Sequence, residues 1–154
     1  MERKGGGLTR KMKILVSILC ILLIGISTSV FAQISEIIDA RNEFGGETMM
    51  TPFSADDEEY KDGVAATIVY LNGNYKIVKR EFIRTNEYNK SSGIVKSISY
   101  FDNDEKVIKN VYFYNNNYVL KKGIAKDIFY FDSNEKKVKA EAYDLNGLLI
   151  KSSQ

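Results

Sequence analysis

The sequence predicts an all-β protein, an antiparallel meander of about seven strands that is either a twisted sheet curled on itself or a small open barrel. Three observations predict this fold. The chain has an internal period of about 30 residues, its apolar segments are separated by Asn, Asp and Gly clusters, and those segments are rich in Ile, Val, Tyr and Phe in alternation. We expect the sheet to follow a signal peptide and a short acidic leader.

The internal period places three units, residues 63–92, 93–122 and 123–152, beneath one another without a gap. We call the shift from one unit to the next one period. Six positions are identical in all three units: Gly63/Gly93/Gly123, Ile68/Ile98/Ile128, Tyr70/Tyr100/Tyr130, Lys76/Lys106/Lys136, Lys79/Lys109/Lys139 and Asn86/Asn116/Asn146. Residues 63–154 are therefore interpreted as one β-repeat domain.

Each unit is predicted to contain two turns, because clusters of Asn, Asp and Gly are typical of hairpins that need positive φ angles. The clusters are Asn72-Gly73-Asn74, Asp102-Asn103-Asp104, Asn115-Asn116-Asn117, Asp132-Ser133-Asn134 and Asn146-Gly147. This spacing predicts strand arms of roughly 8 and roughly 12 to 14 residues in alternation. Gly93 and Gly123 fall inside the long arms, where each is predicted to mark a bulge or bend.

Residues 1–32 have the pattern of a secretory signal peptide. Basic residues precede the apolar run 14–24, and Val30-Phe31-Ala32 offers small or apolar residues for cleavage before Gln33. One alternative is an uncleaved anchor, because the segment from Ile14 to Ala32 approaches the ~20 residues that span a bilayer. Two further interpretations of this segment are that translation starts at Met12 and that the protein is a lipoprotein acylated at Cys20. We expect export to the periplasm, the cell surface or the medium.

Composition restricts the chemistry of the exported part. The chain has no His, which excludes His-dependent relays, imidazole acid–base catalysis and His-ligated metals. Without residues 1–32, 122 residues remain with no Cys, so disulfides cannot stabilise them. These residues carry 17 basic and 19 acidic side chains, a net charge of −2. At this length folding buries roughly 65% of the unfolded surface, so one domain suffices.

Charge divides this part of the chain in two. Residues 33–62 contain nine acidic and two basic residues, whereas residues 63–154 contain 10 acidic and 15 basic residues. The acidic segment is predicted to be a solvated leader or linker, and the alternative is that it lies along the basic units. Helical spacing predicts one short amphipathic helix from Ile34 to Asn42, ended by Gly45-Gly46.

The last unit carries a family resemblance. The stretch Gly123-Ile-Ala-Lys-Asp-Ile-Phe-Tyr-Phe-Asp-Ser-Asn-Glu-Lys-Lys-Val-Lys-Ala-Glu-Ala-Tyr-Asp-Leu-Asn-Gly-Leu-Leu resembles the variant MORN repeat of bacterial antitoxin-like and envelope proteins. The resemblance covers 63–152 and implies successive β-hairpins, although Glu105 and Glu135 stand where a turn Gly is usual. Tyr130-Phe131-Asp132-Ser133-Asn134 also resembles choline- and glucan-binding cell-wall repeats, which depend on Trp, and this chain has none. Both resemblances imply binding or scaffolding rather than catalysis.

The recurring aromatic and basic positions are the candidate binding residues. Tyr70, Tyr100 and Tyr130 share one register, where they form either a core ladder or a surface that grips sugar or protein. Two basic rows accompany them: Lys76, Lys106 and Lys136, and Lys79, Lys109 and Lys139. Lysines guard strand edges against aggregation, and they also attract an anionic partner.

Other chemistry is weaker in this sequence. The acids Asp102, Asp104, Glu105, Asp132 and Glu135 could bind calcium or act as paired carboxylates, but turn hydrogen bonds explain the same residues. We therefore predict a non-enzymatic envelope protein without cofactor or metal, which binds a protein through a basic, Tyr-bearing sheet. The alternative is a cell-wall glycan binder. We expect no nucleic-acid partner, membrane contact only through the signal segment, and open sheet edges that could pair into a dimer.

Overall fold

The computed structural model describes residues 35–154, so the predicted signal peptide lies outside the described residues. The predicted all-β antiparallel meander is confirmed: each strand pairs with its neighbours in sequence, and β1 and β9 form the two edges. The strands are β1 (Glu36–Asp39), β2 (Gly45–Pro52), β3 (Val64–Asn72), β4 (Ile77–Arg84), β5 (Ile94–Phe101), β6 (Val107–Tyr114), β7 (Lys126–Phe131), β8 (Lys137–Tyr143) and β9 (Leu149–Ser153). The sheet is not closed, because β1 and β9 do not pair with each other.

The sheet has nine strands rather than about seven, because the acidic segment 33–62 supplies two. The sequence predicts a linker and a helix over Ile34–Asn42, but Glu36–Asp39 form β1 and pair with β2. The linker and the helix are both wrong for these residues. A helix shorter than about 12 residues needs tertiary packing to persist, whereas β1 gains backbone hydrogen bonds from a strand that is itself paired with β3.

Three short helices join alternate pairs of strands at one end of the sheet. They are α1 (Glu58–Lys61) between β2 and β3, α2 (Asn86–Ser92) between β4 and β5, and α3 (Asn116–Lys122) between β6 and β7. None of the helices in residues 35–154 is long and apolar enough to cross a membrane.

The predictions for this end of the sheet need two corrections. Asn115-Asn116-Asn117 does not form a hairpin turn; the Asn115 side chain accepts a hydrogen bond from the backbone N–H of Tyr118 and starts α3. Gly93 and Gly123 are not bulges within long arms but end α2 and α3 with φ angles of 81° and 73°. Asn favours helix starts as well as turns, and Gly favours helix ends as well as bulges, so the same residues fit either structure.

The end of α2 packs closely against the next connection, which contains α3. A Cβ on Gly93 would lie 2.7 Å from the Tyr118 ring, so the backbone of one connection packs directly against the aromatic side chain of the next. The backbone N–H of Asn115 donates to the Gly93 carbonyl at 2.8 Å, and its side-chain amide donates to the Asn89 carbonyl at 3.1 Å. Glycine is required at position 93 both for its left-handed backbone and for this close approach.

Five turns share one pattern of hydrogen bonds. In each, a side-chain oxygen accepts from the backbone N–H groups two and four residues later. The accepting residues are Asn42, Asn72, Asp102, Asp132 and Asp144, and the residues with positive φ three positions later are Gly45, Tyr75, Glu105, Glu135 and Gly147. The two glutamates that stand where a turn Gly is usual thus adopt the left-handed conformation. The first four turns follow one another at intervals of one period.

The sheet is a single layer, so both of its faces stay partly open. No side chain in residues 35–154 is fully buried, and the most buried apolar residues are strand residues such as Val111 (5% exposed), Ala66 (6%) and Ile98 (7%). Directly paired residues point to the same face of an antiparallel sheet. We call the face that carries Tyr70, Tyr100 and Tyr130 the lysine face.

Candidate functional site

The candidate tyrosines and one of the two lysine rows form a continuous line across the lysine face. Strand pairing places Lys79 directly opposite both Tyr70 and Tyr100, and Lys109 opposite both Tyr100 and Tyr130. Lys139 pairs with Tyr130 and ends the line. Neighbouring strands lie about 4.8 Å apart, so the tyrosines recur about every 10 Å.

Lysine side chains cover the tyrosine rings. The Nζ atoms of Lys79 and Lys109 lie 3.8 Å from the ring centroids of Tyr70 and Tyr100, and Lys139 Nζ lies 5.3 Å from that of Tyr130. A cation at this distance from an aromatic ring is attracted by about 0.5–1 kcal/mol at an exposed site. One surface of each ring therefore faces an ammonium group.

The second predicted lysine row lies elsewhere. Lys76 and Lys106 belong to the hairpin turns, where Lys76 Nζ donates to the Asn103 carbonyl at 2.5 Å and Lys106 Nζ to the Ser133 carbonyl at 3.0 Å. Lys136 occupies the same place in the next turn and is exposed. The structure thus separates Lys76, Lys106 and Lys136 from the tyrosines. Lys76 and Lys106 fasten one hairpin turn to the next.

A buried carboxylate organises the first part of the lysine face. Glu81, only 7% exposed, accepts hydrogen bonds from the Tyr70 hydroxyl at 3.0 Å, Lys79 Nζ at 3.0 Å and Lys96 Nζ at 3.1 Å. Burial alone would raise the pKa of this carboxyl, but the bonds from the two lysines and the tyrosine hold it below its ordinary value. Glu81 is therefore ionised and neutralises one of its two lysines.

A similar group lies near the far edge. Glu141 accepts from Lys139 Nζ at 2.5 Å and from the hydroxyls of Tyr143 and Tyr130 at 2.8 Å. These three bonds, led by that of Lys139, lower the pKa of Glu141 to about 2. Burial and the bond to Glu141 raise the pKa of Tyr130 to about 12, because the ionised phenol would be desolvated and would repel the carboxylate.

Between these two groups the face lacks a carboxylate. Val111 stands one period after Glu81 and one period before Glu141, directly opposite Ile98 and Ile128. Among the described residues, no carboxylate lies within 4.0 Å of the Nζ of Lys109 or Lys126. The central part of the lysine face therefore has an apolar floor and uncompensated lysines.

The two ends of the Tyr–Lys line differ in exposure. At the first end the rings of Phe44 and Tyr70 pack at an interplanar angle of 85°, with centroids 6.3 Å apart, and Glu43 lies 3.8 Å from Lys79. The Lys79 side chain is consequently 13% exposed, whereas that of Lys139 is 41% exposed. The part of the line that a partner can reach thus runs from Tyr100 towards Lys139.

Lys96 and Lys126 form a second row on the lysine face that sequence reasoning missed. Lys96 Nζ lies 5.2 Å from the Phe113 ring centroid and Lys126 Nζ 4.5 Å from that of Tyr143. The two lysines are one period apart, but the first unit has Ala66 at this position, so identity across three units could not reveal them. Five lysines and two glutamates therefore occupy this face along β4 to β8.

The turn carboxylates are engaged by their own backbone. Asp102 and Asp132 accept the turn bonds described above, and Glu105 Oε1 accepts from the backbone N–H of Ile77 at 3.1 Å. Within residues 35–154 no three potential ligand side chains are placed to hold a metal ion.

Comparison with protein-family models, with curated proteins and with solved structures finds no match to this chain. The resemblances to variant MORN and cell-wall repeats stay predictions from the sequence.

Proposed function

We propose that this chain is an exported, non-enzymatic binding or scaffolding module of the bacterial envelope that binds an acidic protein segment through its lysine face. The observation that carries the proposal is the set of lysines on this face, which are Lys79, Lys96, Lys109, Lys126 and Lys139. Among the described residues, the carboxylates within 4.0 Å of these lysines are those of Glu81, Glu141 and, at the first end of the line, Glu43. An excess of one charge on a surface concentrates and orients partners of the opposite charge.

The single-layer fold supports a binding role. Half-buried tyrosine and apolar side chains lie beside the lysines, so the face offers rigid contact area as well as charge. Tyr is enriched in protein interfaces because its ring supplies large contact area and its hydroxyl finds a polar partner. A partner that covered the face would bury apolar surface that the sheet alone leaves partly in water.

Cell-wall glycan is the alternative partner. Three tyrosines in one line about 10 Å apart favour it, because aromatic rings can stack on successive sugars. The position of the lysines opposes it, since Lys79 and Lys109 already occupy one surface of the Tyr70 and Tyr100 rings. An acidic protein segment would meet these ammonium groups without displacing them.

The repeat architecture is part of the proposal. We propose that units of about 30 residues build the sheet, as the variant MORN resemblance implies. The turns that start at Asn42, Asn72, Asp102 and Asp132 support this, and the first of them would place one diverged unit inside the acidic segment.

Export rests on the sequence of residues 1–32 and is tested separately. Expression of the complete chain in a bacterial host with a Sec pathway should yield a product that begins at Gln33, outside the cytoplasm. Mass spectrometry of the intact purified protein measures this directly. An uncleaved product held in the membrane would instead support the anchor.

Capture from the envelope tests the binding role. The purified protein is exposed in parallel to solubilised envelope proteins and to washed, protein-free cell wall. We expect a specific protein to be retained, and to be lost when Lys109→Glu and Lys126→Glu are combined. The control combines Lys121→Glu and Lys122→Glu on α3, which changes the net charge equally away from the lysine face. Retention by wall alone, abolished by Tyr100→Ala and Tyr130→Ala in a folded protein, would favour glycan.

A further inference from the structure

Glu81 has a set of partners that recurs elsewhere on the lysine face. The carboxylate lies among Tyr70 from β3, Lys79 from its own strand and Lys96 from β5, with each polar contact between 3.0 and 3.1 Å. Two ammonium groups and a phenol hydroxyl around one carboxylate give three charge-assisted hydrogen bonds.

The same partners are present one period later without the carboxylate. Tyr100, Lys109 and Lys126 occupy the same strand registers around Val111 as Tyr70, Lys79 and Lys96 do around Glu81. Within the described residues, the Nζ atoms of Lys109 and Lys126 contact only aromatic rings, at 3.8 and 4.5 Å. The Tyr100 hydroxyl has no hydrogen-bond partner in this part of the chain.

We infer that the site over Val111, bounded by Tyr100, Lys109 and Lys126, binds a carboxylate side chain of an acidic partner segment. This inference rests on the proposed function and specifies where and how the partner is held. The partner's carboxylate would take the role that Glu81 plays one unit earlier, approaching from the solvent side because Val111 is shorter than glutamate and fills the floor of the sheet.

The surroundings of the site favour an extended protein segment. Ile98, Val111 and Ile128 lie in one row beneath it, with Val111 5% and Ile98 7% exposed. Apolar side chains near the partner's acidic residue would pack against the half-buried tyrosine rings that lie beside this row. In an extended segment, successive side chains point to opposite sides, so the residues two positions before and two positions after the acidic residue would face the sheet together with it.

The decisive pair of variants is Val111→Glu and Val111→Gln. Val111→Glu supplies the missing carboxylate from within the chain, and Lys109, Lys126 and Tyr100 are already placed to hold it. Val111→Gln has nearly the same shape without the charge. The probe is the peptide acetyl-Val-Ser-Glu-Ser-Val-amide, titrated against the purified protein, with its Glu→Gln counterpart as the neutral probe. The Nζ resonances of the lysines report the site by nuclear magnetic resonance.

We expect the acidic peptide to shift the Lys109 and Lys126 resonances, and Val111→Glu to weaken its binding about tenfold while Val111→Gln stays within about threefold of wild type. Lys109→Gln, which leaves Val111 in place, should also weaken it and covers the case in which Val111→Glu does not fold. Equal affinities of the Glu and Gln variants, or of the acidic and neutral peptides, would overturn the inference.

Two further outcomes separate this inference from the proposed function. If Lys109→Glu with Lys126→Glu abolishes capture of an envelope protein while Val111→Glu leaves it intact, the lysine face binds but the vacant carboxylate position is not used. If phosphatidylglycerol vesicles shift the lysine resonances and the acidic peptide does not, the site recognises lipid phosphate and the inference is wrong.

Discussion

The strand ends and the lysine face use recurring residues in opposite ways. At the strand ends, Lys76 and Lys106 donate to carbonyls of the next turn, and Tyr118 packs against Gly93 of the preceding connection. On the lysine face, Lys109 recurs at the same interval but meets only the ring of Tyr100 among the described residues. Recurrence from unit to unit therefore does not distinguish a residue that stabilises the sheet from one that is open to a partner. The contacts that each side chain makes with neighbouring strands and turns distinguish the two.

The largest expected effect on stability concerns the contact between Gly93, at the end of α2, and Tyr118. Gly93→Ala should lower the free energy of unfolding by about 3 kcal/mol, because alanine disfavours the left-handed backbone and its Cβ would meet Tyr118. Gly123→Ala is the matched control, since Gly123 has a similar φ angle but no atom within 4 Å of the place where a Cβ would lie. It should cost about 1 kcal/mol. Urea unfolding measures both, and equal losses would show that the Tyr118 contact contributes nothing.

A smaller effect is expected inside the lysine face. Glu81→Ala should destabilise the protein by about 2 kcal/mol, because it leaves Lys79, Lys96 and the Tyr70 hydroxyl without their common acceptor. Glu81→Gln retains the shape and one acceptor, so it should cost about half as much. Thermal unfolding of the two variants measures the difference. An Ala variant as stable as wild type would mean that the carboxylate is dispensable for folding.

Acid should remove the contribution of Glu141. Its pKa falls from an ordinary 4.5 to about 2 in the folded protein, so its stabilisation is complete above about pH 4.5 and is lost as the pH falls towards 2. Glu141→Gln lacks this contribution throughout. The urea midpoints of wild type and variant should therefore differ at pH 6 and converge near pH 2. A difference that is unchanged across this window would contradict the three hydrogen bonds assigned to Glu141.

The smallest expected effect on stability separates the two lysine rows. Lys106→Gln should lower the free energy of unfolding by about 0.5 kcal/mol, because it weakens the bond to the Ser133 carbonyl. Lys109→Gln should change stability by a similar or smaller amount, since among the described residues it loses one cation–ring contact and no ion pair. If Lys109→Gln lowered the free energy of unfolding by several kcal/mol, Lys109 would be a residue that stabilises the sheet rather than one that is open to a partner.

Local chemistry explains which parts of the fold the sequence predicts. The turns at Asp102 and Asp132 are predictable because a side chain bonds its own backbone within four residues. Asn115 is misassigned because the same short-range bond also starts a helix. Strands β1 and β2 are missed because the segment is acidic and its pairing depends on residues far along the chain. The available signal was Asn42, which lies one period before the turn residue Asn72.

The candidate site is predictable only in part. The sequence identifies Tyr70, Tyr100 and Tyr130 and two lysine rows, but strand pairing is needed to show that only Lys79, Lys109 and Lys139 line up with the tyrosines. The alternation of Glu81, Val111 and Glu141 is visible when the units are aligned. The role of these glutamates cannot be predicted from a local pattern, because the hydrogen bonds that they accept come from side chains on neighbouring strands.

The central claim is that the lysine face, and not the row of turn lysines, binds the partner. The most direct measurement compares two variants of equal net charge, Lys109→Gln with Lys126→Gln and Lys106→Gln with Lys136→Gln, for affinity towards the captured envelope protein at low and physiological salt. We expect the face variant to lose about tenfold or more in affinity and most of the salt dependence, and the turn variant to match wild type. Equal losses in both variants, or a loss confined to the turn variant, would contradict the claim.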